Sequence, residues 1–206
     1  MNKSRLEAFS DGVIAILITI MVLELRIPHG SDLESIRPLL PVFLTYILSF
    51  IYLGIYWNNH HHMLQATRRV NGRVLWANLH LLFWLSLVPF VTGWMGENHF
   101  APLPTAVYGV VLLCSAISYT ILQAAILYHD HGDNELLAAA IGRDLKGKIS
   151  IGLYLCAIPL AFVNQWISDV IYIAVAVTWL IPDKRIESRL EARSKSEDIA
   201  GVRSPG

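Results

Sequence analysis

Thr19 stands three residues after Ile16 and four before Leu23, in a run almost free of charge. On a helical period, residues seven apart return to within about 20° of one direction, so Ile16 and Leu23 share a face. Thr19 lies about 60° from Ile16 on that face. Gly12 and Ile27 extend the stripe at either end. One hydroxyl between two branched apolar layers admits two readings. In the first, the stripe packs against a neighbouring helix and Thr19 bonds back to its own backbone. In the second, apolar rings narrow a pore and the hydroxyl meets a partly dehydrated ion, since apolar constrictions can gate by dewetting.

Two carboxylates bracket the stripe. Ionisable groups within an apolar span face a cavity or a partner. For Asp11 the expected partner is a donor from a following span, such as Asn58, His60, Trp76 or Asn78. Glu24 is read either as a solvated interfacial group or as the edge of a cation-concentrating vestibule. His60, His61 and His62 are consecutive, and helical neighbours point about 100° apart, so the three cannot share one metal ion. His60 or His61 with His80 could hold a haem, which is a weaker reading than a hydrogen-bonding role. His129 and His131 with Asp130 and Asp133 form a solvated loop cluster. Cys114 and Cys156 lie inside apolar runs and read as core residues rather than a disulfide framework. No nucleophile and base fall at a persuasive spacing, so an enzyme is not expected.

The elements that hold these residues follow from composition. Of 206 residues 54% are hydrophobic and only 16% charged, against roughly a quarter charged in a soluble domain. The few charges cannot cover a soluble surface, and the long apolar runs exclude a disordered chain. Sixteen charges of each sign give no net basic field, which argues against a nucleic-acid partner. The expected class is an all-α membrane bundle of six spans. They fall at 12–25, 41–57 (continuing to about residue 65), 76–94, 106–128, 149–167 and 170–181. A span needs roughly 20 residues. The first meets this if Ser4 caps the helix with Glu7 as its capping-box partner; otherwise Ser10 or Asp11 is the cap and the helix starts at Gly12. The sixth is short and ends at Pro182.

Basic residues orient the bundle. With the N-terminus inside, the inner segments hold 14 of the 16 lysines and arginines, leaving outside only Arg26 and Arg37. Both termini are therefore expected in the cytoplasm. Residues 1–183 would form the membrane domain and 184–206 a polar cytoplasmic tail, helical over 185–193 and disordered at its end. Lys3 and Arg5 precede an apolar run, but no small-residue cleavage site follows. Paired broken spans of a transporter, an arginine-rich voltage sensor and a potassium-filter sequence are all absent from the sequence. The lone Val107-Tyr108-Gly109 reads as helix packing.

The segment Arg5-Leu6-Glu7-Ala8-Phe9-Ser10-Asp11-Gly12-Val13-Ile14-Ala15-Ile16 resembles the R-x-x-x-F-S-D signature of the transmembrane protein 175 potassium channels. Thr19, Ile20, Met21 and Leu23 continue the pattern. Trp57, a histidine at 60 or 61, Trp76 and Asn78 match the second and third spans of that family. By motif the resemblance covers three spans, and by layout six. It implies a homotetramer in a bacterial plasma membrane, with one six-helix unit per chain. The first helix of each copy would line a central pore with no re-entrant filter loop. Ile16 would be the principal constriction, Thr19 the selectivity layer and Leu23 a second apolar layer, with Gly12, Ile20 and Ile27 also pore-lining. Arg5, Phe9, Ser10 and Asp11, with Trp57, His60, Trp76 and Asn78, would anchor the pore helix. Potassium would permeate, and no cofactor or metal is implied. A proton-coupled cation transporter using Asp11 and the histidines as a relay is the competing reading, with a haem or metal redox protein as a third.

Overall fold

The computed structural model describes residues 3–67, 70–129 and 145–180, and all described regular structure is helical. In order these are α1 (Lys3–Ile20), α2 (Leu40–Ala66), α3 (Gly72–Ser86), α4 (Val88–Glu97), α5 (Pro102–His129) and α6 (Leu145–Leu180). Short 3-10 turns follow α1 at Met21–Glu24 and precede α2 at Leu33–Ser35 and Arg37–Leu39. In hydrocarbon a helix satisfies its own backbone, which is why apolar runs of this length fold this way. The stretch 130–144 and the tail from residue 181 lie outside the described residues. So do the expected loop cluster, the 185–193 helix and the side chains of Arg68 and Arg69.

α1 begins at Lys3, so Ser4 is inside the helix and does not cap it. The helix tightens to a 3-10 turn at Met21 and ends with Leu25 extended. Ile27 is therefore beyond the helix, and helical periodicity no longer assigns it to the Ile16 face. Leu23 keeps its place. Four residues at 100° and three at 120° put it about 40° from Ile16.

The third span is interrupted. Asn71 caps α3 by accepting from the Val74 backbone N–H at 2.9 Å. Leu87 closes that helix, and Pro89 stands at the start of α4, where its missing N–H costs no bond. α4 ends in a Schellman motif, with Phe100 N–H donating to Met95 O (3.0 Å) and His99 N–H to Gly96 O (3.1 Å). His99 and Phe100 hold φ of 50° and 59°, a left-handed conformation that glycine usually takes. Phe100 lies 5.4 Å from Trp166, so the turn is held against the far end of the bundle.

α6 has 36 residues and as one rod would run about 54 Å, far beyond a bilayer core. It is a hairpin. Asn164 has φ −159° and ψ 108°, and its side chain accepts from the Trp166 N–H at 3.1 Å, the geometry of an N-cap. Ser168 Oγ donates to Ala157 O (2.7 Å), Trp179 Nε1 to Ser150 Oγ (2.9 Å) and Lys146 Nζ to Thr178 O (3.5 Å). Partners that converge on residue 164 mean two antiparallel limbs, 145–163 and 165–180. The spans are thus six, with the fifth-to-sixth break at Asn164 rather than after Ile167. The added residues bring the last limb closer to spanning length.

A polar seam fills the middle of the bundle. Ser49 Oγ bonds Thr92 Oγ1 (2.6 Å) and the Tyr108 hydroxyl (2.9 Å). Tyr154 donates to the Tyr52 hydroxyl (3.2 Å), Tyr52 to Tyr172 O (2.6 Å) and Tyr172 to Thr105 O (3.1 Å). With little hydrophobic drive between helices in lipid, such bonds and close packing do the joining. Glycines admit the close approaches: a Cβ on Gly96 would sit 2.7 Å from the Val42 Cα, and one on Gly109 would overlap the Tyr172 hydroxyl. Val107-Tyr108-Gly109 is thus a packing element, as its sequence suggested.

Gly109→Ala should destabilise the fold by about 1–3 kcal/mol, the usual scale of overpacking. Adding Tyr172→Phe removes the clashing hydroxyl. The double variant should melt above the sum of the two single losses, as read by thermal unfolding in detergent. Simple additivity would mean the two residues do not meet.

Candidate functional site: the uncovered face of α1 and its anchors

α1 has two unlike faces. Leu6, Ser10, Ile14 and Leu17, followed by Met21, are buried against the bundle, at the three- and four-residue steps of one helical stripe. α1 packs on α2, α3 and α4. The opposite face is uncovered. It carries Arg5, Phe9, Gly12, Ile16, Thr19, Ile20 and Leu23, with Ile16 59% and Leu23 78% exposed. The Thr19 hydroxyl donates to Ala15 O (2.9 Å) and Ile16 O (3.0 Å). Its hydrogen is committed to the backbone, so what the residue offers outward is an oxygen with free lone pairs. The backbone bond that the first reading expected of Thr19 is therefore present.

The buried face is fixed by a hydrogen-bonded relay across three helices. Asn78 of α3 donates through Nδ2 to Ser10 Oγ at 2.9 Å. Its Oδ1 accepts from His60 Nε2 of α2 at 2.7 Å. All three side chains are buried, with Ser10 and Asn78 fully so. Since Asn78 Oδ1 can only accept, His60 carries its proton on Nε2. One turn along, Trp57 Nε1 donates to Asp11 Oδ1 at 3.0 Å. Asp11 has a partner from the second span as expected, but that partner is Trp57 rather than Asn58, His60, Trp76 or Asn78.

His60 is thus the histidine tied, through Asn78, to the signature helix. His61 instead lies stacked near Trp57 at 5.9 Å and bonds Gln65 at 2.8 Å. His80 is exposed and accepts from Trp84 at 3.1 Å, so His60 and His80 bond separate partners. Among the described residues no group of three or more His, Cys, Asp or Glu side chains could hold a metal ion.

Three expected anchors do not join the relay. Arg5 is exposed and bonds none of the described residues, Phe9 is 50% exposed, and Trp76 is 75% exposed. The reason is angular. Arg5 and Phe9 point along the Ile16 direction, at least 100° from Ser10. Trp76 lies two residues before Asn78 and so on the far side of α3, in a groove with Arg73 and His80. At the other end of α1, Glu24 lies against α4, where a Cβ on Gly93 would come within 3.1 Å of its carboxylate. Arg26 pairs with Glu97 at 2.6 Å, both exposed, a contact worth about 0–1 kcal/mol. The hydroxyl seam was not singled out in the sequence. Its only signal was the tyrosines and serines inside apolar runs.

Asn78→Ala would leave Ser10 and His60 without partners in a dry core. Each orphaned group costs about 1–3 kcal/mol, so this variant should lose more thermal stability than any single substitution on the uncovered face. Arg5→Ala should leave thermal stability unchanged, and an equal loss for both would contradict the division into two faces.

Comparisons with known proteins identify the family. The family model described as endosomal/lysosomal potassium channel TMEM175 matches residues 5–89, which hold α1 and its anchors. A protein from Chryseobacterium sp. named as a potassium channel is 56% identical over 191 residues, covering 93% of this chain and 99% of that one. Another from Chamaesiphon minutus, also named as a potassium channel, is 31% identical over 191 residues, covering 85% and 92%. The crystal structure of a lysosomal potassium-selective channel TMEM175 homolog from Chamaesiphon minutus superimposes with a TM-score of 0.75 at 30% identity, covering 87% of this chain and 96% of that one. With near-complete coverage of its bacterial relatives, a shared all-helical bundle and the signature on its first helix, the chain belongs to the TMEM175 family of membrane channels, not to an enzyme family.

Proposed function

We propose that the protein is a potassium channel, assembled from four copies around a pore lined by α1. The observation that carries this reading is the uncovered face of α1. It places a lone hydroxyl oxygen between two exposed apolar residues on a helix whose other face is locked by Asn78. One helix cannot enclose an aqueous path, whereas a closed ring of identical helices can. The bacterial relatives, named as potassium channels, supply the ion.

In this reading Ile16 forms the constriction, Leu23 a second apolar ring, and Thr19 the polar layer between them, with Gly12 and Ile20 completing the wall. Potassium holds its water less tightly than sodium. An apolar ring that strips part of the shell without replacing it penalises the better-hydrated ion more. The outward oxygen of Thr19 replaces part of a lost shell, since its hydrogen already points to the backbone. Selectivity built this way is modest beside a filter of backbone carbonyls. The pairing of Arg5, Phe9 and Trp76 would then fall between copies. Both termini face the cytoplasm of a bacterial plasma membrane, an orientation supported by the distribution of lysine and arginine. The coupled-carrier reading needs Asp11 and the histidines as a relay. Asp11 is bonded to Trp57 and His60 to Asn78, so among the described residues no direct hydrogen bond joins Asp11 to His60.

Ile16→Cys should give disulfide-linked subunits on mild oxidation in membranes, and a protein that stays monomeric in lipid rules out the ring. Ile16→Asn should raise single-channel current in planar bilayers by wetting the constriction. Thr19→Ala should lower the potassium-over-sodium permeability ratio by about threefold or more, equivalent to ~0.7 kcal/mol, without loss of assembly. Reversal potentials under potassium and sodium gradients decide the last point. An unchanged ratio would remove Thr19 from the ion path.

A further inference from the structure

Asp169 lies on the second limb of α6, past the break at Asn164. It is 7% exposed, and among the described residues neither of its carboxylate oxygens has a hydrogen-bond partner. The other described carboxylates are exposed, or bonded as Asp11 is to Trp57 and Glu7 to Lys3. The segments outside the described residues follow α2, α5 and α6 at the other end of the bundle. Along the limb that end is about 16 Å from Asp169.

A bare anion in this position has no water, no counter-charge and no donor, and such a group gives up its charge instead. A proton answers the charge without needing a cavity. Two hydroxyls lie within electrostatic reach of the carboxyl, Tyr108 of α5 and Tyr172 of the same limb. Tyr52 of α2 and Tyr154 of the first limb lie beyond it, and no cation is among the groups that act on it. Tyr172 is one turn along on the same face. Helical side chains lean toward the preceding turn, which carries its ring toward Asp169. Both hydroxyls are engaged elsewhere. Tyr172 donates to Thr105 O at 3.1 Å, and Tyr108 bonds Ser49 at 2.9 Å. The buried Thr105 hydroxyl is also without a partner, so it and the carboxyl do not meet.

We propose that Asp169 is a proton-binding site: in the packed bundle it is a carboxylic acid, and on losing the proton it draws the Tyr172 hydroxyl away from Thr105 O. The proton is then part of the seam. With it bound, Tyr172 joins α6 to α5. Without it, the same hydroxyl turns to the carboxylate of its own limb. That hydroxyl occupies the space a Cβ on Gly109 would fill, so its departure opens a gap between the two helices and forfeits their contacts. Tyr172 O also accepts from Tyr52, which carries the change to α2. The switch belongs to the bundle and does not rest on the channel reading.

The test uses the full chain in detergent micelles, unfolded reversibly by denaturant between about pH 5 and 8, with Asp169→Asn as the uncharged isostere. Unfolding exposes the carboxyl, which in water ionises above about pH 4. A folded state that keeps the proton is therefore most stable in acid and loses stability as pH rises. From this one group the unfolding constant gains about tenfold per pH unit. The expected result is a wild-type slope steeper than that of Asp169→Asn by one proton, and equal slopes overturn the site. Should Asp169→Asn not fold, infrared spectra of the folded wild type decide the matter. A neutral-carboxyl stretch that persists at neutral pH is expected, and its absence overturns the site. As that band fades in alkali, the tyrosine C–O stretch should shift, and Tyr172→Phe should abolish the shift. A shift that survives Tyr172→Phe overturns the choice of Tyr172. Stabilisation of the wild type by potassium or sodium ions, lost in Asp169→Asn, overturns the proton in favour of a bound cation.

Discussion

Asn78 reaches α1 with one end of its carboxamide and α2 with the other. In water such a bond would be replaced by solvent at little cost. Inside a bundle surrounded by lipid an unpaired amide, hydroxyl or imidazole has no such recourse, and each is expensive to leave bare. The three side chains therefore fix both the rotation and the depth of α1. Its rotation decides which residues face away from the bundle, so the Ile16, Thr19 and Leu23 face is a consequence of where Ser10 is held. The Trp57–Asp11 bond adds a second point one residue along, which prevents the helix from pivoting about the first.

The remaining helices form a scaffold that cannot easily repack. Glycines at 96 and 109 bring helices closer than any other residue would allow, and hydroxyl bonds from Ser49, Tyr52, Tyr108 and Tyr172 join them across apolar surroundings. The α6 hairpin closes the bundle with its own cap at Asn164. Because α2 contributes both to the scaffold and to the anchors, it is the element through which a change in the bundle interior can reach α1.

Much of this was legible in the sequence. Six apolar runs, their approximate limits and the bias of basic residues follow from the thickness and polarity of a bilayer, which act on composition alone. The Phe9-Ser10-Asp11 signature pointed to the family, and the 3.6-residue period put Ile16, Thr19 and Leu23 on one face. Less legible were places where a local signal had two physical meanings. Ser4 with Glu7 looks like a capping box, yet the helix begins before it. Asn164 looks like a stray polar residue in an apolar run, yet it is the cap that divides α6. Ile27 keeps helical spacing from Leu23, yet the chain has already turned extended at Leu25.

Sequence by itself determined the membrane class, the span count, the shared face of Ile16, Thr19 and Leu23 and the family. These depend on residue type and spacing along one chain, which a period or a hydropathy run captures. Tertiary structure alone decided that Trp57 is the partner of Asp11, that His60 rather than His61 bonds Asn78, and that Arg5, Phe9 and Trp76 stand outside the relay. Choosing among neighbouring donors needs the relative rotation of helices far apart in sequence. That rotation is set by close contacts such as Gly96 on Val42 and Gly109 on Tyr172, which no local pattern encodes.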